Sequence, residues 1–157
     1  VGGRCGHCGL WRISGYRAVY RPNWPAPPSR AGNFRARLHP VRRRAIGDAV
    51  ATWKGSERVA IYGTGGISHW PGTAQVGRIN DAWDRKVMSL VASGDADALL
   101  AMSDEDILRD GGNGGLEIKN FLCAMGAMRD VRGETIAYEA VPEWVSGLGF
   151  MELKRVH

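Results

Sequence analysis

His69 closes the stretch Gly63-Thr64-Gly65-Gly66-Ile67-Ser68-His69, directly after the apolar run Val59-Ala60-Ile61-Tyr62. Imidazole titrates near neutrality, so a histidine held at the end of a loop can take or give a proton at working pH. Glycines allow a ligand to approach the backbone, and the apolar run reads as a buried strand over 58–62 that delivers the loop. In open α/β sheets, ligands bind beyond the carboxyl ends of strands. Glu117 is the second candidate, in the first turn of a helix that follows Gly111-Gly112-Asn113-Gly114-Gly115. An acid there is favoured electrostatically whatever its role. Five Gly and Asn residues are an entropically costly way to begin a helix, which a loop passing close to a metal or substrate would explain. Both readings of Glu117 stand at this point.

Two other motifs lead elsewhere. Gly63-x-Gly65-Gly66 matches part of a dinucleotide fingerprint, but that fingerprint needs a helix opening at the loop to hold the pyrophosphate. Trp70-Pro71-Gly72 breaks the chain where that helix would run. Cys5-Gly6-His7-Cys8 has no second Cys/His pair at zinc-finger spacing, and Gly9 stands where a c-type haem motif needs histidine. Both are set aside.

The elements that must position these residues begin near Val41. Residues 1–47 carry ten arginines with no lysine and no acid, and the remaining 11 basic residues face all 16 acids. A basic segment is thus joined to a mildly acidic domain, a break that marks a boundary. Residues 1–40 are irregular, rich in Arg, Pro and Gly, and are expected to be out of frame or non-native. With Trp11, Tyr16, Tyr20, Trp24 and Phe34 they could stack and contact single-stranded nucleic acid. The absence of lysine argues against that partner.

Residues 41–157 form the expected domain. Ile46, Ala49, Val50 and Trp53 mark an amphipathic helix entered after Pro40. Ile79, Trp83, Val87, Leu90 and Val91 mark a second, closed by Gly94. Asp95 opens a short helical piece, and Ser103 caps another with an acidic first turn. Ile118, Phe121, Leu122 and Met125 repeat at helical spacing, and the stretches 135–141 and 148–153 are β-like. This order predicts an α/β fold, with a mixed or mostly parallel sheet flanked by helices. No run of 18 apolar residues and no secretory signal pattern occurs, and Cys5, Cys8 and Cys123 make no disulfide framework. The expectation is a cytoplasmic protein without a membrane span.

Four stretches resemble the C-terminal half of class III extradiol ring-cleavage dioxygenases, in particular the protocatechuate 4,5-dioxygenase β-subunit and gallate dioxygenase type. They are RVAIYGTGGISHWPG at 58–72, GRINDAWD at 77–84, GGNGGLEIKN at 111–120 and YEAVPEWVSG at 138–147. The resemblance implies that 41–157 is the C-terminal part of a catalytic domain. It implies Fe(II)-dependent cleavage of a catechol-type aromatic acid with O₂, opening the ring beside the diol. Glu117 falls where the family's glutamate ligand stands, and His69 where the histidine beside the iron acts as acid and base. Gly65, Gly66, Ser68 and Asn113 would bind substrate or shape the loops. The implied partners are a small α subunit or further copies of the chain. The family's two histidine ligands lie in its N-terminal half; nothing here matches their motifs, and neither His7 nor His39 receives the role. The chain is therefore expected to be inactive alone, or else to be a non-catalytic binding protein on the same fold.

Overall fold

A stripe of apolar side chains at helical spacing needs a partner surface, and two such stripes build the core of this chain. The computed structural model describes residues 12–13, 16–17 and 40–156, with side chains from Arg44 to Val156. Cys5, His7, Cys8 and His39 lie outside the described residues, as does most of the Arg-rich segment. Within that segment β1 (Arg12–Ile13) and β2 (Tyr16–Arg17) pair antiparallel.

Helix α1 (Pro40–Ala51) starts at the proline, where a missing N–H costs nothing. Helix α2 (Asp81–Ser93) is capped by Asn80, whose side chain accepts the Trp83 N–H, and ends on left-handed Gly94 at φ 72°. Two short helices follow, α3 (Ala96–Ala101) capped by Asp95 and α4 (Asp104–Asp110) capped by Ser103. A tight 3₁₀ turn (Gly114–Glu117) then leads into α5 (Ile118–Met128). The chain closes with β3 (Val131–Val141) and β4 (Ser146–Arg155), an antiparallel pair whose register shifts between Thr135 and Ala137.

Trp83, Val87, Met88 and Val91 of α2 and Ile118, Leu122 and Met125 of α5 are buried together, joined by Ile67, Leu99, Ile107 and Val131. Each such side chain contributes about 1.5–3 kcal/mol by leaving water. The β3–β4 ribbon lies against α2, and α1 lies against α5. The chain is therefore a mixture of helix and strand, as expected, but every strand pairing among the described residues is antiparallel.

The expected strand over 58–62 is a correction. That segment has no regular secondary structure, and Val59 and Tyr62 are exposed. A strand is defined by its hydrogen-bonded neighbour, and no backbone hydrogen bond to Val59–Gly63 is found among the described residues. Instead the segment is held from its far end, where the Asn120 side-chain amide donates to the Thr64 carbonyl at 2.8 Å. The expected apolar stripe of α1 is a second correction: Ile46 is exposed rather than packed, and Trp53, also exposed, lies beyond the end of the helix. No helix among the described residues is long and apolar enough to cross a membrane.

Candidate active site

The loop that carries His69 is fixed by the burial of its two preceding residues. Ile67 is in the core and Ser68 is fully buried. Ile67 donates its N–H to the Gly147 carbonyl at 2.8 Å, and Gly147 returns its own N–H to the Ser68 carbonyl at 3.1 Å. The next peptide is held from the other side. His69 donates its N–H to the Gly111 carbonyl at 2.9 Å, and the His69 carbonyl accepts from Gly114 at 3.1 Å. The glycine loop at 63–69 and the glycine loop at 111–115 are thus hydrogen-bonded to each other through the histidine's own backbone.

The imidazole is largely enclosed, with 12% of the side chain exposed. Its Nδ1 lies 3.3 Å from the Ile67 carbonyl oxygen. A carbonyl only accepts, so this contact calls for the proton on Nδ1 and turns Nε2 to the other side of the ring. Nε2 faces the Glu117 carboxylate, with Oε2 at 3.8 Å. The same Oε2 accepts the Gly66 N–H at 2.8 Å. Glu117 is about half exposed, so its carboxylate borders open space on one side and the histidine on the other.

Close approach explains the glycines at two of these positions. A β-carbon on Gly65, which sits at φ 144°, would stand 2.6 Å from the Glu117 β-carbon. A β-carbon on Gly114 would stand 2.1 Å from His69 Nε2. Of the other expected site residues, Gly66 is the backbone donor to Glu117. The Asn113 side-chain amide donates to the Pro71 carbonyl at 3.0 Å, tying the two loops again. Ser68 is enclosed and holds backbone, its Oγ accepting the Asn80 N–H at 2.7 Å.

Beneath the loop lies a residue the motif reading passed over. Asp84 is completely buried; its Oδ1 accepts the Ser68 N–H and its Oδ2 the Tyr138 hydroxyl, each at 2.8 Å. Burial pushes its pKa up, while the Ser68 and Tyr138 groups hold it partly back. Burial and the Asp84 contact likewise push the Tyr138 hydroxyl up, so it remains a donor. The signal was present in the spacing: Asp84, Val87, Met88 and Val91 share one helix face, and a carboxylate on an apolar stripe is out of place.

No group of three or more His, Cys, Asp and Glu side chains that could hold a metal is found among the described residues. Glu117 and His69 therefore do not make an iron site by themselves. A cavity of about 740 Å³, lined by Val50, Val87, Met88 and Phe121 among others, reaches Gly63 and Ile67 of the histidine loop but is bordered by neither His69 nor Glu117.

Comparison with known proteins gives these loops a context. Relatives include 2,3-dihydroxyphenylpropionate/2,3-dihydroxicinnamic acid 1,2-dioxygenases. The one from Cupriavidus necator is 29% identical, over 70% of this chain and 50% of the relative. That of Cupriavidus pinatubonensis is 28% identical over the same shares, and that of a Rhodococcus species 26% identical over 71% and 51%. The chain spans about half the length of these curated relatives. The sequence pattern of the catalytic LigB subunit of aromatic ring-opening dioxygenase matches residues 39–149, which contain the histidine loop, the second glycine loop and Glu117. By this match over most of its length, the chain belongs to the LigB family of aromatic ring-opening dioxygenases.

Proposed function

We propose that this chain supplies the proton-carrying histidine and one metal-binding carboxylate of an Fe(II)-dependent extradiol dioxygenase. The observation that supports it is the pairing of His69 Nε2 with Glu117 Oε2 at 3.8 Å, between two interlocked glycine loops. The relatives' names point to catechols bearing a three-carbon acid side chain as the substrate class. Protocatechuate and gallate serve as comparison substrates.

In this reading His69 Nε2 takes a proton from a catechol hydroxyl brought against it. The ring later returns that proton to an oxygen of the opening product. The Nδ1–Ile67 contact keeps the imidazole turned in one sense throughout. Glu117 would present its carboxylate to the metal, and the two further ligands would come from outside the described residues. We expect no ring cleavage from the chain alone, because nothing in its sequence matches the family's two histidine-ligand motifs.

A second reading, a non-catalytic binding protein on the same fold, draws on the lack of a three-ligand cluster among the described residues. Iron analysis and a catechol-cleavage assay separate the two, run on the chain as it stands and on one extended upstream to the length of its relatives. The extended protein is expected to retain iron and form the yellow ring-opened product. His69→Ala should lower its turnover by about 10²-fold or more with iron retained, and Glu117→Gln should lose iron. Ring cleavage unchanged in both variants would overturn the assignment, and iron-free, inactive extended protein would favour the binding reading.

A further inference from the structure

A carboxylate with no exposed surface is costly unless every oxygen is bonded, and a well-packed apolar side chain would serve stability as well or better. Asp84 occupies such a place on the apolar face of α2. Its two oxygens meet two different parts of the chain. Oδ1 takes the Ser68 backbone N–H and Oδ2 takes the Tyr138 hydroxyl from β3. The start of β4 leaves room for it: a β-carbon on Gly147 would lie 1.8 Å from Oδ2. Gly147 in turn grips the Ser68 carbonyl and the Ile67 N–H. Asn80, the cap of α2, donates its backbone N–H to the Ser68 hydroxyl. Asp84 and Asn80 of α2 and Gly147 of β4 therefore converge on one residue, and that residue immediately precedes His69.

We infer that Asp84 is a positioning residue for His69: its buried carboxylate accepts the Ser68 N–H and so fixes the peptide from which the imidazole projects. The inference rests on the reading of His69 as the proton carrier, and it acts through Ser68. Ionised oxygen is the stronger acceptor for that N–H, which is what the buried charge contributes over an apolar isostere. Tyr138 satisfies the second oxygen, so the carboxylate does not turn away from the loop.

The test uses nuclear magnetic resonance on the 157-residue chain, so that it reports positioning whether or not the protein turns over a catechol. Ring nitrogen shifts of His69 and exchange of the Ser68 amide are followed in the parent, Asp84→Ala and Asp84→Asn. In the parent the His69 ring should carry a proton on Nδ1, facing the Ile67 carbonyl. Asp84→Ala should give a mixture of rings protonated on Nδ1 and on Nε2. Its Ser68 amide should exchange at least about tenfold faster, as loss of one hydrogen bond to a charged group implies, with the Leu122 amide unchanged. Asp84→Asn keeps an accepting oxygen and should restore the Nδ1-protonated form. Parent-like His69 and Ser68 signals in folded Asp84→Ala would overturn the inference. If Asp84→Ala does not fold, Asp84→Asn decides: a folded amide variant that has lost the fixed ring form overturns it, and one that keeps the form supports it. A parent-like ring in an extended protein whose His69→Ala variant keeps full turnover would instead defeat the proton-carrier reading alone.

Discussion

A single missing methyl group sets how close the second glycine loop can come to the imidazole. The hydrogen at the α-carbon of Gly114 faces the His69 ring, and an alanine there would place carbon 2.1 Å from Nε2. The ring is enclosed, with its Nδ1 side against the Ile67 carbonyl, so it cannot yield freely. Gly114→Ala is expected to cost about 1–3 kcal/mol by overpacking, read as a lower midpoint in urea unfolding. The His69 ring resonances should move in the same variant. Gly115→Ala is the milder control, because its nearest foreign atom would be 3.3 Å away at the end of the Trp83 side chain, a tight contact rather than an overlap. Equal losses in both would mean that this loop is sensitive to any added carbon rather than to the histidine.

At the scale of elements, the paired and unpaired extended segments should part company in hydrogen exchange. The amides of Val59–Gly63 have no backbone acceptor among the described residues, whereas β3 and β4 are paired along nearly their full lengths. Exchange at 59–63 is expected to approach open-chain rates while amides inside the β3–β4 ladder are protected. Protection of 59–63 equal to the ladder would show that the segment does have a strand partner. This contrast also shows what the sequence could reveal. Helix α2 was legible because its apolar residues recur at 83, 87 and 91 and a glycine stands at its end, both local facts. The β3–β4 pair was legible in outline from its β-like runs and the Pro-Glu-Trp break between them. Val59–Tyr62 has an equally β-like composition, yet a strand is made by its neighbour, and composition carries no record of one. The histidine and the glutamate were found because glycines flank them. Asp84 was passed over because the apolar period of its helix drew attention to Trp83 and Val87, and its partner Tyr138 is 54 residues away.

For the molecule as a whole, the buried carboxylate should shape how stability responds to acid. Burial raises the Asp84 pKa above its ordinary 3.8. Between 3.8 and that raised value the native state holds a proton that the unfolded chain has released, so this residue's contribution grows as pH falls through the window. Below 3.8 both states are protonated and the contribution levels off. Asp84→Asn has no such dependence. The parent should therefore gain stability relative to the variant as pH is lowered from neutral to about 4, measured as paired unfolding midpoints. A difference that moves the other way would mean the carboxylate is stabilised, not burdened, by its surroundings. The acids whose pKa is lowered, Asp81, Asp106, Asp110 and Glu134, are all paired at the surface, and they are common to both proteins and cancel in the comparison.

The clamp on Ser68 and His69 also dictates an order of events. Its jaws are the Gly111–Gly114 loop and Gly147, and the Gly66–Glu117 bond joins residues 51 apart in the chain. Each closure requires chain entropy to be surrendered before any contact returns it, whereas α2 and α5 can form from neighbours in sequence. The helices can therefore assemble while the imidazole is still free to turn. The histidine's fixed stance depends on these contacts between separate loops, so a local opening of either loop releases it while the helices remain. A preparation can keep its helical signal and its buried Trp83 and still have lost the stance on which its chemistry rests.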